Sequence, residues 1–329
     1  MTQKFKVLII GAGDIGAFYD QPTSKNILTH AHAFSKNGFK LIGFVDTNSK
    51  KSTQASKLWG CRSFTKIADA FNNTKVDVVC VAVPDEKHYE VLKQLINYNF
   101  RLAFVEKPFT TSLENAREIM SLYRNKKIEI AVNYSRRFLP EFELLRKSII
   151  NNYFGKYITG IGFYGKGLLH NGSHMVDLLR YLLGEIDGIL SYDSINDFID
   201  SDPSISAILR LSNGNYFLLQ RINRNLYTIF DFDLFFERGR IKIDGSKFCI
   251  EEYEIGKNNL FPSHQNLVKV REKKIAQNRV MYFAAKNIYG FLTSGQKLKS
   301  TASDAIDVID ICCKIKNLFN EKKNNTLFS

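Results

Sequence analysis

In the first 130 or so residues, apolar positions fall in short unbroken runs separated by segments of helical spacing. The runs Lys6–Ile10, Lys40–Val45, Val76–Val83, Leu102–Val105 and Ile128–Val132 are rich in Val, Ile and Phe and lack polar alternation. Strands buried on both faces have this character, and their alternation with helices predicts a parallel sheet. Helical spacing runs through Glu86–Asn97 and Ser112–Asn125, where the Ser112 hydroxyl suits an N-cap accepting from the amide of Asn115. Beyond Pro140 the style changes. A helix over Pro140–Asn151 leads to Gly155, and alternating stretches follow at Leu209–Ile222 and Asp231–Ile250. Asn213-Gly214 and Asp244-Gly245 lie within them and predict hairpin turns with positive φ at both central residues. A helix over Asn278–Leu292 is expected to cover one face of that antiparallel sheet. Ser303 is expected to cap a last helix over Ser303–Phe319.

Gly11-Ala12-Gly13-Asp14-Ile15-Gly16 follows the first run directly and precedes a helical segment. In a dinucleotide-binding turn the first glycine makes the bend and the second lets a pyrophosphate approach the backbone. The third lets the chain pack on the sheet, while amides opening the helix face the phosphates. The second run ends at Asp46, whose carboxylate suits both ribose hydroxyls and repels a 2′-phosphate, which favours NAD over NADP. Asp46 stands further from the glycines than the usual ~20 residues, so an extra loop is expected around Tyr19–Leu28, ahead of a helix through Ala31–Ser35. Lys50 and Lys51 follow closely and soften the preference.

The fold class expected is therefore α/β plus α+β. An N-terminal Rossmann NAD(P)-binding domain takes residues 1–125. A substrate and oligomerisation domain, built on a mostly antiparallel open sheet, takes residues 126–300. A C-terminal helix, 301–329, is expected to pack back near the N-terminal domain. A chain of 329 residues suits two domains. No apolar run approaches the ~20 residues that cross a bilayer, and Val7–Ile10 is too short for a signal-peptide core, so a cytoplasmic protein is expected. The five cysteines, Cys61, Cys80, Cys249, Cys312 and Cys313, lack ligand spacing and read as reduced thiols, with no metal site expected.

The formal net charge of +13 favours anionic partners. Its basic residues are scattered among acids with no recognition module, which argues against nucleic acid. A phosphate-bearing small molecule fits better, beside the plain reading of a solvated basic surface.

Val83, Pro84 and His88 lie at the end of the third run and just beyond it, and Glu106-Lys107-Pro108 follows the fourth, Leu102–Val105. Ligands of open parallel sheets bind at such carboxyl ends. His170-Asn171-Gly172-Ser173-His174-Met175-Val176-Asp177 then enters a strongly apolar helix. Together these segments resemble the glucose–fructose oxidoreductase/inositol dehydrogenase/MocA-like family over nearly the whole chain, and Glu-Lys-Pro is the most specific mark. The resemblance implies that Lys107 is the active-site lysine, contacting the substrate hydroxyl and the nicotinamide end, with Glu106 and Pro108 positioning it. It implies that His174 exchanges a proton with the reacting hydroxyl, and that Val83, Pro84, His88 and Glu106 lie beside the cofactor. Asn133 and Arg137, with His170, His174 and Asp177, would line the substrate pocket.

The chemistry also stands on its own terms. Oxidising an alcohol needs a hydride acceptor and a base for the hydroxyl proton, and a histidine or a desolvated lysine can serve near neutral pH. Many family members carry an acid four positions before the histidine. This chain has His170 there, which leaves open whether His170 or His174 is the main proton carrier. Asp177 can orient His174 or pair with Arg180 or Arg137. His30 and His32 are weaker candidates near the cofactor, while Tyr134 and Arg136 read as packing and surface residues. The function expected is NAD(P)-dependent hydride transfer at a hydroxyl or keto carbon of a sugar, polyol or nucleotide-sugar, in a homo-oligomer. The Asn-Gly-Ser-His-Met segment also resembles that common among sugar-modifying members of surface-polysaccharide pathways, and by analogy a basic pocket would suit a diphosphate. The alternatives are an NAD-dependent glycosidase of the same fold that recycles its hydride, and a non-catalytic NAD-binding regulator.

Overall fold

The computed structural model describes residues 5–72 and 74–326. The chain forms two compact units, one from residues up to Leu139 with Gln277–Asp307, the other from Pro140–Ala276 with residues from Val308 on. The first unit is a parallel sheet of β1 (Phe5–Ile10), β2 (Phe39–Val45), β3 (Arg62–Phe64), β4 (Val78–Val81), β5 (Leu102–Val105) and β6 (Glu129–Val132). Its strand order is β3-β2-β1-β4-β5-β6. All residues of β4 and β5 are buried, as their unbroken apolar runs require. The short edge strand β3 carries no apolar run, so periodicity gave it no signal. Helices α1 (His30–Lys36), α2 (Ser49–Trp59), α3 (Ile67–Phe71), α4 (His88–Leu95) and α5 (Leu113–Asn125) connect the strands. Ser112 caps α5 by accepting from Asn115 N at 3.4 Å, as its position predicted.

The second unit is an eight-stranded sheet of β7 (Tyr157–Tyr164), β8 (Ile186–Ile199), β9 (Asp202–Leu211), β10 (Tyr216–Arg221), β11 (Phe230–Phe236), β12 (Gly239–Asp244), β13 (Cys249–Lys257) and β14 (Gln265–Lys274). The order β14-β13-β12-β11-β7-β10-β9-β8 leaves only the β7–β10 pair parallel. Helix α6 (Pro140–Ile150) packs on α7 (Ser173–Leu183), and α7 packs on β7. A Cβ on Gly162 of β7 would lie 2.5 Å from Met175 Sδ, so the glycine is what lets α7 sit this close.

After β14 the chain returns to the first unit as α8 (Val280–Ser294). This corrects the expectation that Asn278–Leu292 covers the antiparallel sheet. The helix instead packs on α1, where Asn37 Nδ2 donates to Tyr282 O at 3.1 Å and Ile27 N to Asn278 O at 2.8 Å. Tyr289 meets the rings of Phe5 and Phe39 edge-on at 5.7 and 5.6 Å. The apolar stripe of α8 could have served either surface, and its spacing cannot say which. The last helix, α9 (Ala302–Thr326), starts two residues earlier than its nominated cap Ser303 would allow. Thr301 takes that place, its hydroxyl accepting from Asp304 N at 3.3 Å and donating to Asp304 Oδ2 at 2.7 Å.

Both hairpin turns also differ from expectation. Gly214 has φ +88° but Asn213 does not take positive φ, and Leu211 N donates to Asn215 O at 2.8 Å. The loop is thus three residues long and ends on a left-handed glycine. At Asp244-Gly245 neither residue takes positive φ, while Phe248 has φ +51°. Asp244 Oδ1 caps the longer loop from Ser246 N and Lys247 N, and Gly245 is required because Phe230 O would meet a Cβ at 2.4 Å. Among the described residues no helix is long and apolar enough to cross a membrane.

A close backbone approach in the first unit lies at Gly11, whose φ is +101° and whose added Cβ would stand 2.3 Å from Ala82 O. Gly11→Ala should destabilise that unit by about 3 kcal/mol through left-handed strain and the clash. Thermal melting should show a midpoint roughly 5–10 °C lower, and an unchanged midpoint would contradict this account.

Candidate active site

The strand order reverses between β1 and β4, and the carboxyl ends on either side are laced together. Gly11 N donates to Val45 O and Ala82 N to Ile10 O, both at 2.8 Å. The three glycines of the motif divide their work. A Cβ on Gly16 would meet Gly11 O at 2.5 Å, whereas a Cβ on Gly13 would meet nothing within 4 Å. Gly11 and Gly16 therefore serve the fold, and Gly13 leaves open backbone facing a cleft.

That cleft has a volume of about 880 Å³, within the range of small-molecule sites. Gly11, Gly13, Asp14 and Ile15 line its floor, with Val83 and Pro84 on one side and Asp46 on the other. Asp46 Oδ2 accepts from Ala12 N at 2.9 Å and Oδ1 from Asn48 N at 2.8 Å, which fixes the carboxylate against the glycine turn. Open backbone over Gly13 and a fixed acid beyond it fit a pyrophosphate and an adenosine ribose. The turn that follows, Asp14–Phe18, is only five residues long, so loop amides rather than a long helix dipole would hold the phosphates of a bound dinucleotide. Thr47, Lys51, Thr65 and Lys66 also line the cleft. Lys66 escaped the sequence reading because it follows the three-residue β3.

Several nominated residues stand behind the cleft wall rather than in it. Ala12 and Gly16 belong to the turn itself. His88 is fully buried, its Nδ1 2.7 Å from Pro108 O and its Nε2 3.0 Å from Val83 O. Glu106 Oε1 receives His30 Nε2 and Asn133 Nδ2, both at 2.7 Å, while Oε2 accepts from Lys107 N at 3.3 Å. The Lys107-Pro108 bond is cis. Burial alone would raise the Glu106 carboxyl, but the His30 and Asn133 donors and Lys107 hold it below the usual carboxylate range. Burial would likewise depress His30, yet Cys80 and Glu106 beside it outweigh burial and raise it. Burial raises the Cys80 thiol above its ordinary value, against the pull of His30 beside it.

His32 Nδ1 lies 2.8 Å from Asp20 Oδ2, and Asp20 also accepts from Leu28 N and Thr29 Oγ1 at 2.7 and 2.5 Å. His32 thus fastens the extra loop to α1. Asn133 and Arg137 are buried as struts of the first unit, Arg137 Nη1 meeting Asp304 Oδ1 at 2.8 Å. Tyr134 is fully buried, in keeping with its packing role.

In the second unit, a tight turn over Leu168–Gly172 leads into α7 and carries His170, and the first turn of α7 carries His174. Asp202, at the start of β9, accepts from Leu169 N at 2.8 Å and His170 N at 2.9 Å. Gly167, with φ +79°, permits this, since a Cβ there would stand 2.3 Å from Asp202 Oδ2. Burial raises Asp202 above the usual carboxylate range despite those amides and the nearby His170. The His170 ring lies over Phe198 with centroids 4.6 Å apart, and His174 meets Phe230 edge-on at 6.5 Å. Asp177 is buried, and Arg180 forks onto Glu185 at 2.8 and 3.0 Å. Nothing in the spacing around Asp202 tied it to His170, which lies 32 residues earlier.

Comparison with known proteins agrees with this geometry. Residues 5–134 match the model of the Gfo/Idh/MocA oxidoreductase family, described as having an NAD-binding Rossmann fold. An inositol 2-dehydrogenase of Rhizobium meliloti is 26% identical over 277 residues, covering 76% of this chain and 75% of the relative. A solved UDP-N-acetylglucosamine 3-dehydrogenase from Acidithiobacillus ferrooxidans shares the fold with a TM-score of 0.76 at 17% identity, covering 95% and 97% of the two chains. A levoglucosan dehydrogenase solved with NADH has a TM-score of 0.79 at 16% identity, covering 96% and 97%. Residues 5–134, which carry the parallel sheet, glycine turn and cleft described above, thus match the Gfo/Idh/MocA family of NAD-binding oxidoreductases.

Proposed function

We propose that this oxidoreductase interconverts a hydroxyl and a keto carbon of a sugar, polyol or nucleotide-sugar, with Lys107 and His174 as acid–base groups. The observation that carries the reading is the fixed Glu106-Lys107-Pro108 segment at the carboxyl end of β5, in the unit that also forms the cleft. The substrate class follows the relatives, which are named for inositol, levoglucosan and an N-acetylglucosamine nucleotide. NAD supplies the hydride acceptor when bound. The chain's own part is to hold the dinucleotide at Gly13 and Asp46, to orient the substrate, and to move the hydroxyl proton. Lys107 and His174 are groups able to exchange that proton, while His170 supports His174. Asp202 fixes the backbone of the turn that carries His170. A homo-oligomer fits the edge strand β14, on which Leu267, Val268 and Val270 are exposed.

Cofactor affinity tests the dinucleotide half of this reading. Gly13→Ala, which meets no protein atom, should leave the melting temperature within ~2 °C yet weaken NADH about tenfold or more by fluorescence titration. The native protein should prefer NADH to NADPH, and Asp46→Ala should narrow that preference while loosening the turn through loss of the Ala12 contact. Equal affinities in the native protein would contradict the assignment of Asp46.

Turnover tests the catalytic half, using a panel of polyols, sugars and nucleotide-sugars followed by NADH absorbance. Lys107→Ala and His174→Asn should each lower kcat by roughly 10²–10⁴-fold with NADH affinity kept, and His170→Asn by about tenfold. Near-native turnover in Lys107→Ala would remove the central assignment, and a greater loss at His170 than at His174 would reverse their roles.

A further inference from the structure

Lys107 has no secondary structure of its own, yet both of its sequence neighbours are held by side chains from other elements. On one side, Glu106 N donates to Val81 O at 2.9 Å, and its carboxylate takes His30 from α1 and Asn133 from the end of β6. On the other, Pro108 O faces His88 Nδ1, and the far nitrogen of that ring faces Val83 O. His30, His88 and Asn133 are all at least nine-tenths buried, so none of them is a surface group that happens to lie nearby. We infer that these three residues form a clamp that positions Lys107, with the buried His30–Glu106 pair also setting the charge felt by its ammonium. They are positioning residues, and the cleft is lined by others.

The electrostatic part has a definite sign. Glu106 favours the charged form of Lys107, and a protonated His30 offsets part of that field. The titratable groups facing the pair are Cys80 on β4 and Lys107 itself. Replacing His30 by a neutral side chain therefore leaves Glu106 less compensated and moves the Lys107 titration upward. The linkage to stability has the opposite trend at high pH. A raised imidazole contributes fully below its ordinary value of 6.5, and that contribution is lost as pH rises through its raised value.

This inference builds on the role proposed for Lys107, but its test needs no substrate. Lysine reactivity is measured on the full-length protein by pulsed amine acylation across pH 7–11 and peptide mass spectrometry. The exposed Lys126 and Lys127 serve as internal references. His30→Gln should raise the Lys107 labelling midpoint by about one pH unit, with Lys126 and Lys127 unmoved and NADH affinity within twofold. Asn133→Asp, which keeps the side-chain shape but adds a second carboxylate beside Glu106, should move it in the same direction. The wild-type advantage in melting temperature over His30→Gln should also shrink above pH 6.5. A Lys107 midpoint unchanged in whichever variants bind NADH normally overturns the clamp. Because turnover of Lys107→Ala is measured separately, failure of the catalytic role would be recognised as such.

Discussion

The first unit depends on one close backbone approach, that of Gly11 to Ala82 across the point where the sheet order reverses. There β1 ends beside β4, and the space between them admits a hydrogen atom but no methyl group. Everything nearby inherits this constraint. The turn must bend sharply, and the following amide at Ala12 then points at Asp46. The open backbone at Gly13 consequently faces a cleft already walled by Val83 and Pro84. A binding surface arises here from packing limits on its neighbours rather than from any group dedicated to a ligand.

A second dependence runs through the carboxyl end of β5. A buried carboxylate is tolerated only if it is paired and hydrogen-bonded, and Glu106 satisfies that need three ways. Satisfying it draws α1, the end of β6 and the Lys107 amide to one spot. His30 reaches that spot only because the extra loop, fastened by Asp20 to Leu28, Thr29 and His32, delivers α1 in the right register. A loop that looks like an insertion between the glycines and Asp46 thus shapes the surroundings of a reactive amine.

The parallel sheet was legible because buried strands write themselves as unbroken apolar runs, and Leu102–Val105 appears with the bounds its residues imply. The glycine motif and the Ser112 cap were legible for a similar local reason. What escaped were features whose signal lies far along the chain. The apolar stripe of α8 says that it must be covered, but not that α1 covers it. The partnership of Asp202 with His170 spans 32 positions and is made through backbone amides, which every residue possesses. The contact between Asn133 and Glu106 was equally out of reach, since it joins residues 27 positions apart at the ends of neighbouring strands.

The passage of the chain through its two units has an outcome for biosynthesis. Residues up to Leu139 emerge first, yet the surface of α1 and the rings of Phe5 and Phe39 are covered only when α8 has been made. The whole of the eight-stranded sheet is synthesised in between. The nascent parallel sheet must therefore wait, with an apolar flank uncovered, for about 140 further residues at ordinary translation rates of ~5–20 per second. During that interval of several seconds or more the apolar flank lacks its cover, and a message truncated before Val280 would yield a product without α8 and so unable to complete the first unit.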